Sequence, residues 1–348
     1  MGLRPVTLRL REFQFRQMAS ALVHRGVAIA AIPSIGALTT RENVNTICDF
    51  FAERSGRAGC SQLEGMLRVL RPLAGHHLGD RELAEWIGRR LRRLFGGRAR
   101  RFGMTDKNRR RLAVFRNRQQ VRELLLLPWR LLKKAESGSL PPKVAAQLVR
   151  TAVAVEIELM CPIRLQNLSE LNMDTDFVRS RSGKSAAVHL FIPGNRTKNG
   201  EDIELELPKK AVGLIDLYAA KYRNLLIRPD CRGKTPRFLF PAPDGTPKVG
   251  RVFADAICRV LQRELGITFN IHLFRHLSCC LYLQSHPGQI DVMRRVLGHR
   301  DATTTLRFYA FVEQSDAFRA FDKHVLRMRE EAMRPGRRTP SLRQGAGW

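Results

Sequence analysis

The chain has no apolar run long enough to cross a bilayer. The most apolar stretch, near 21–38, is broken by His24, Arg25, Pro33 and Gly36. A second, 124–132, is short and holds Pro128 and Arg130. A spanning helix needs about 20 apolar residues in a row. A signal peptide is not expected either, because MGLRPVTLRLREF carries charge where its apolar core belongs. Cysteine pairs at metal-binding spacing are missing too. The seven cysteines (Cys48, Cys60, Cys161, Cys231, Cys258, Cys279 and Cys280) are odd in number and form no C-x-x-C. That argues against a zinc site and against a disulfide framework. Free thiols predict a reducing cytosol, and adjacent Cys279 and Cys280, on different helix faces, read as small apolar packing residues.

Acidic residues are also scarce. Against 61 Lys and Arg there are 32 Asp and Glu, a formal net charge of +29. Such an excess suits a folded binder of polyanions, because neutralising phosphates is what clustered basic side chains do well. The 44% hydrophobic content is ordinary for a globular protein, and 348 residues suffice for two domains with cores of their own.

What is present in the first 140 residues reads as helices. Residues 1–38 form an N-terminal extension. Thr40 caps a helix over 41–53 with Val44, Ile47, Phe50 and Phe51 on one face; 61–70 and 80–95 follow. In the latter, Leu83, Trp86, Ile87, Leu91, Leu94 and Phe95 make the apolar stripe. Thr105 caps another helix. From Trp86 to Lys134 there are seventeen Lys and Arg but only two acids, Asp106 and Glu123. Like charges at helical spacing repel, and a nearby nucleic-acid backbone removes that repulsion. We therefore expect a helical basic module over 39–140 that holds phosphates, with Arg89, Arg92, Arg93, Arg100, Arg101, Lys107, Arg109 and Arg110 as contact candidates. The Gly138-Ser-Leu-Pro-Pro142 stretch marks the boundary to a second domain over 141–330.

The second domain opens on a long apolar helix, 143–159, stopped by Pro162. Arg164 then stands at a helix junction in an apolar setting. It suits a defined anion, or a structural bond to carbonyl groups. Two alternating stretches, 187–192 and 202–207, predict a β-hairpin whose loop carries Arg196 and Lys198 and the turn pair Asn199–Gly200. Helices are expected over 209–226, 250–265 and 310–325. From 331 the Pro/Gly/Arg-rich tail predicts disorder.

Residues 270–309 concentrate the chemistry: His272, Arg275, His276, His299 and Tyr309 within forty positions. HLFRH followed by LGHRDATTTLRFY resembles the tyrosine recombinase (phage integrase) family, whose pattern is H-x-x-R, then L-G-H or L-G-W, then Tyr. CPIRLQNL and RTKNG fit the family's upstream Arg and hairpin Lys as Arg164 and Lys198. Cys161–Pro162 and Asn167 depart from its usual Thr-Gly and Glu. The resemblance covers 143–322; the basic N-terminal part is similar only in layout to the family's core-binding domain.

That resemblance implies a mainly α fold with a small antiparallel β-sheet in the catalytic domain, preceded by an all-α domain. It implies a recombinase or integrase of a mobile element, cytoplasmic and nucleoid-associated, assembling as a homotetramer on two sites in double-stranded DNA. Tyr309 would attack the phosphodiester, Arg164 and Arg275 would bind its oxygens, and Lys198 would protonate the leaving oxygen. His272 would accept the tyrosine proton and His299 would hold a phosphate oxygen, with no metal or nucleotide cofactor. Arg196 joins the DNA-contact candidates, and His276 reads as structural. The same chemistry fits a type IB-like topoisomerase, and the same fold an inactive DNA-binding relative.

Overall fold

A computed structural model of the chain describes residues 5–96, 104–180, 187–233, 236–298, 321–331 and 333. It divides into two compact units, Met1–Arg101 and Phe102–Trp348. No helix among the described residues is long and apolar enough to cross a membrane.

The first unit is helical. Helix α1 (Pro5–His24) precedes α2 (Arg41–Ser55), α3 (Ser61–Pro72) and α4 (Arg81–Phe95). Thr40 caps α2 by accepting from the Asn43 amide, and Asp80 caps α4 by accepting from the Leu83 amide. Gly56, at φ 62°, ends α2 in the left-handed conformation that glycine adopts without strain. Val44, Ile47, Phe51, Leu63, Met66, Leu67, Leu70 and Ile87 are buried together, and Leu83, Trp86, Leu91 and Leu94 pack against them. Met18, Ala21 and Leu22 belong to the same core. Residues 1–38 are therefore not a mere extension. Sequence reading missed α1 because Arg and Glu interrupt its apolar face, so its periodicity is weak.

The second unit begins earlier than the expected boundary. Helices α5 (Asp106–Ala113) and α6 (Arg118–Glu136) come before the Gly138–Pro142 turn. Their Leu112, Leu124, Leu127 and Leu131 nevertheless join the core that holds α7 (Pro142–Met160). The turn folds α6 back onto α7 through Gly138 at φ 74°. It is an intradomain hairpin of helices rather than a linker, and this corrects the placement at 140. Helix α7 is buried around most of its circumference, from Ala145 to Glu158, as expected of a central helix.

Helix α8 (Leu165–Ser169) leads to a three-stranded antiparallel sheet, β1 (Phe177–Arg179), β2 (Val188–Ile192) and β3 (Ile203–Glu206), in the order β1-β2-β3. The expected hairpin is β2–β3, with Leu190 opposite Leu205 and Ile192 opposite Ile203. Val188, Leu190 and Ile192 alternate into the core. The edge strand β1, only three residues long, was too short to read as a strand. Helix α9 (Lys209–Leu217) passes into a π turn over Tyr218–Tyr222 and a 3₁₀ turn over Arg223–Leu226, so the helix expected over 209–226 is not uniform. Helices α10 (Gly250–Leu265), α11 (His272–Ser285) and α12 (Ile290–Val296) complete the named elements. Residues 321–331 are helical, beyond the end expected at 325. The expected helix over 310–320 and most of the expected disordered tail fall outside the described residues. Cys279 and Cys280 are both buried, as read.

Tyr218 gives a direct test of this packing. Its ring is fully buried against Phe240, and its hydroxyl has no hydrogen-bond partner. Burial drives the phenol pKa up. An unsatisfied buried hydroxyl costs free energy. Tyr218→Phe is therefore expected to leave stability unchanged or raise it by up to about 1 kcal/mol in denaturant unfolding.

Candidate active site

The site grows from the end of α7. Pro162 stops that helix and restricts the residue before it, and Cys161 leaves helical geometry at φ −139°, ψ 89°. Ile163 turns inward and Arg164 becomes the half-buried N-cap residue of α8. Its Nη1 donates to Asn199 Oδ1 at 3.2 Å.

Arg275 comes from the first turn of α11 and is buried. Its Nη2 donates to the Leu297 carbonyl at 2.6 Å, and its Nη1 to the Pro162 carbonyl. The carbonyl-bonded role considered for Arg164 is thus taken by Arg275. Those two bonds tie α11 to the start of the Arg164 turn and to the L-G-H motif.

The hairpin loop is laced from within. The buried Thr197 hydroxyl shares its one proton between the carbonyls of Gly194 and Glu201, and the Gly200 amide donates back to it. Gly194 is required: a Cβ there would meet the Gly200 carbonyl oxygen at 2.4 Å. The loop is also clipped from outside. Asn199 Nδ2 donates to the Gly298 carbonyl, and buried Asn167 donates from Nδ2 to the Arg196 carbonyl at 3.0 Å. Lys198 stands exposed between the pinned residues Thr197 and Asn199.

His272 opens α11 with one side to solvent. Burial is still the largest influence lowering its pKa, followed by the charges of Arg275, Arg164 and Lys198. One imidazole thus feels all three cations. Arg164 is itself lowered, first by desolvation and then by Arg275. His276 is lowered to about 4, by burial, then Arg275 and His272. Both imidazoles are therefore neutral at neutral pH.

The structure brings together Arg164, Lys198, His272 and Arg275. His299 and Tyr309 lie outside the described residues, but the two residues before His299, Leu297 and Gly298, are held by Arg275 and Asn199. Asn199 is the functional candidate that sequence reading missed. An Asn-Gly pair signals a turn, and Gly200 does take φ 76°. Nothing in one sequence says that the Asn side chain bridges Arg164 to Gly298. Asn167, a departure from the family pattern, acts as a strut between α8 and the loop.

The DNA-contact candidates divide between the units. Arg89, Arg92 and Arg93 are exposed on α4 of the first unit; Lys107, Arg109 and Arg110 are exposed on α5 of the second. Arg100 and Arg101 fall outside the described residues. Arg196 is engaged internally, since its Nη1 pairs with the buried Asp176 at 2.6 Å and its Nη2 donates to the Glu170 carbonyl at 2.8 Å. Among the described residues, no group of three or more His, Cys, Asp or Glu is placed to hold a metal ion.

No protein-family model matches this chain, and no curated protein matches it. Among solved structures it is similar to XerH site-specific recombinase bound to a palindromic difH substrate, with 11% identity, 89% of this chain and 96% of that chain covered, and a TM-score of 0.45. It is also similar to XerA recombinase, at 13% identity, 90% and 98% coverage and a TM-score of 0.36. A lambda integrase dimer bound to a COC′ core site gives 14% identity, 90% and 89% coverage and a TM-score of 0.42. At these scores the likeness is too weak to carry an argument. The functional reading rests on the side chains.

Proposed function

We propose that this chain cuts and rejoins duplex DNA through a covalent 3′-phosphotyrosine at Tyr309, as a site-specific recombinase or integrase of a mobile element. The observation that carries the reading is the common field of Arg164, Lys198, His272 and Arg275. Arg164, which burial and then Arg275 make costlier to ionise, together with Arg275, an ammonium and a neutral imidazole, forms a receptor for one compact anion.

Chemistry follows from those groups. Arg164 and Arg275 hold the non-bridging oxygens of a phosphodiester and stabilise the charge gained as the nucleophile adds. The phenol of Tyr309, with an ordinary pKa near 10, must lose its proton as it attacks. His272, neutral at neutral pH, is available to accept it. Lys198 protonates the departing 5′-oxygen. His299 bonds a phosphate oxygen. The phosphotyrosine conserves the bond energy, so a 5′-hydroxyl from a second strand can reverse the step. The exposed arginines of α4 and the basic residues of α5 hold backbone phosphates, independent of sequence. Strand exchange between two sites requires four such active sites, hence a homotetramer on two duplexes.

The test is a duplex nicked close to the cleavage point, from which the short 5′-hydroxyl strand diffuses away. The expected result is a denaturation-resistant adduct of chain and DNA, followed by joining to a second duplex at a defined sequence. Relaxation of supercoils without joining would mark a topoisomerase instead, and no adduct on any duplex carrying the element's ends would overturn the proposal.

A further inference from the structure

Three acids of the second unit are buried, Glu156, Glu158 and Asp176, and among the described residues only Glu158 has both carboxyl oxygens buried without a hydrogen-bond partner. Glu158, on the last turns of α7, is fully inaccessible, and neither carboxyl oxygen has a hydrogen-bond partner. It lies one helical turn before Pro162, whose carbonyl accepts from Arg275. The cation that acts on it is Arg275. Yet Arg275 donates to the carbonyls of Pro162 and Leu297 and not to this carboxyl. An isolated carboxylate in such a place loses most of its hydration, and the usual outcome is that it takes up a proton instead.

We propose that Glu158 is a positioning residue for Arg275, a buried carboxylic acid kept neutral beside the guanidinium so that its charge remains available to an anion. This rests on the reading of Arg275 as a phosphate-binding group. When Glu158 gives its proton to solvent, the carboxylate offsets the charge of Arg275 and draws it away from the Leu297 carbonyl. The site then loses half of its guanidinium charge. A bound phosphodiester opposes that loss, so substrate binding and protonation of Glu158 support one another.

The groups around it limit the possible confusions. Arg275 acts on Glu158 from α11, and Cys161, its thiol raised first by burial and then by Glu158, stands at the end of the same helix. Helices α6, α9 and α10 and the turns over 218–226 also pack on α7, and none of their described side chains acts on the carboxyl; Glu156, buried two residues earlier with its own pKa raised by burial, is the same in wild type and variants. His272, His276 and Arg164 act on or with Arg275, and they are the same in wild type and in Glu158 variants. Comparing those proteins at each pH removes their titrations.

The sign is fixed by the direction of the shift. Burial raises the Glu158 pKa well above the ordinary 4.5, and Arg275 only partly offsets this. A folded-state pKa above the unfolded one means stability that is complete below the unfolded value and lost as pH rises through the folded one.

The experiment uses the full chain as wild type, Glu158→Gln and Glu158→Leu. Melting temperatures are followed from about pH 5 to about pH 9. Wild type is expected to lose stability with rising pH relative to both neutral variants, and infrared spectra should show a protonated carboxyl band absent from Glu158→Gln. A pH-independent difference to both variants, with no such band, would overturn the proposal. The second arm is the rate of adduct formation on nicked duplex. The ratio of wild type to Glu158→Gln should fall at alkaline pH by up to about tenfold per unit. A flat ratio, with the melting result intact, leaves a buried acid but overturns its role for Arg275. Absence of adduct from every variant, with the melting result intact, counts against the phosphotyrosine reading and not against the buried acid.

Discussion

Replacing Tyr309 by Phe is expected to abolish the covalent DNA adduct, by more than about 10⁴-fold, while duplex affinity stays within about twofold. The phenol is the only group of the protein that forms a bond to phosphorus in the proposed chemistry. The other three tyrosines offer no substitute. Tyr218 is sealed in the core without a partner for its hydroxyl. Tyr222 has its pKa raised by burial first and by Glu136 second, which makes it a poorer nucleophile. Tyr282 gives its hydroxyl to Gln289 Oε1 at 2.6 Å, seven residues along the chain. Affinity survives because a net charge of +29 spread over many basic side chains holds phosphates without help from one hydroxyl. Gel separation after denaturation, beside a filter-binding measurement, checks both halves. An adduct that persisted and mapped to Tyr282 would sink the assignment.

The second large effect is the loss of Arg164. Arg164→Ala should slow adduct formation by about 10²–10³-fold with duplex binding retained. It should cost only about 1 kcal/mol of stability, since its described bond is a single one, to Asn199. Arg275→Ala will read differently. That side chain is buried and satisfies two backbone carbonyls as well as serving the proposed chemistry. Its removal should also destabilise the second unit by about 2–4 kcal/mol, mixing folding with catalysis. Arg164 is therefore the cleaner probe. Unfolding curves run beside single-turnover rates separate the two contributions. If Arg164→Ala loses affinity and rate to the same extent, the division between binding and chemistry is wrong.

The sequence carried its site unevenly. His272 and Arg275 could be read as a pair because their spacing puts both on the first turn of one helix, α11. The first capped helix of the first unit was legible through Thr40, whereas the capping role of Asp80 was not. Arg164 and Lys198 could be singled out locally but given a role only by resemblance, since nothing local distinguishes an anion-binding Arg from one bonded to carbonyls. Asn199 was hidden because its bonds reach 35 and 99 residues along the chain. Glu158 was hidden because an acid on an otherwise apolar helix is ordinarily assigned to its exposed side, whereas α7 has almost none. The boundary went astray for a related reason: a Pro pair after Gly marks a stop in the helix, and only packing tells whether the next helix returns to the same core.

The way α6 folds back on α7 decides how this protein can be divided. A fragment that starts at Lys143 would strip Leu124, Leu127 and Leu131 from the second core and bare the face of its central helix. Aggregation rather than an inert catalytic half is the expected fate of such a piece. Among the described residues, a cut between Arg101 and Phe102 takes no buried residue from either hydrophobic cluster. Domain exchange with another protein should be spliced there, at a join that no proline announces.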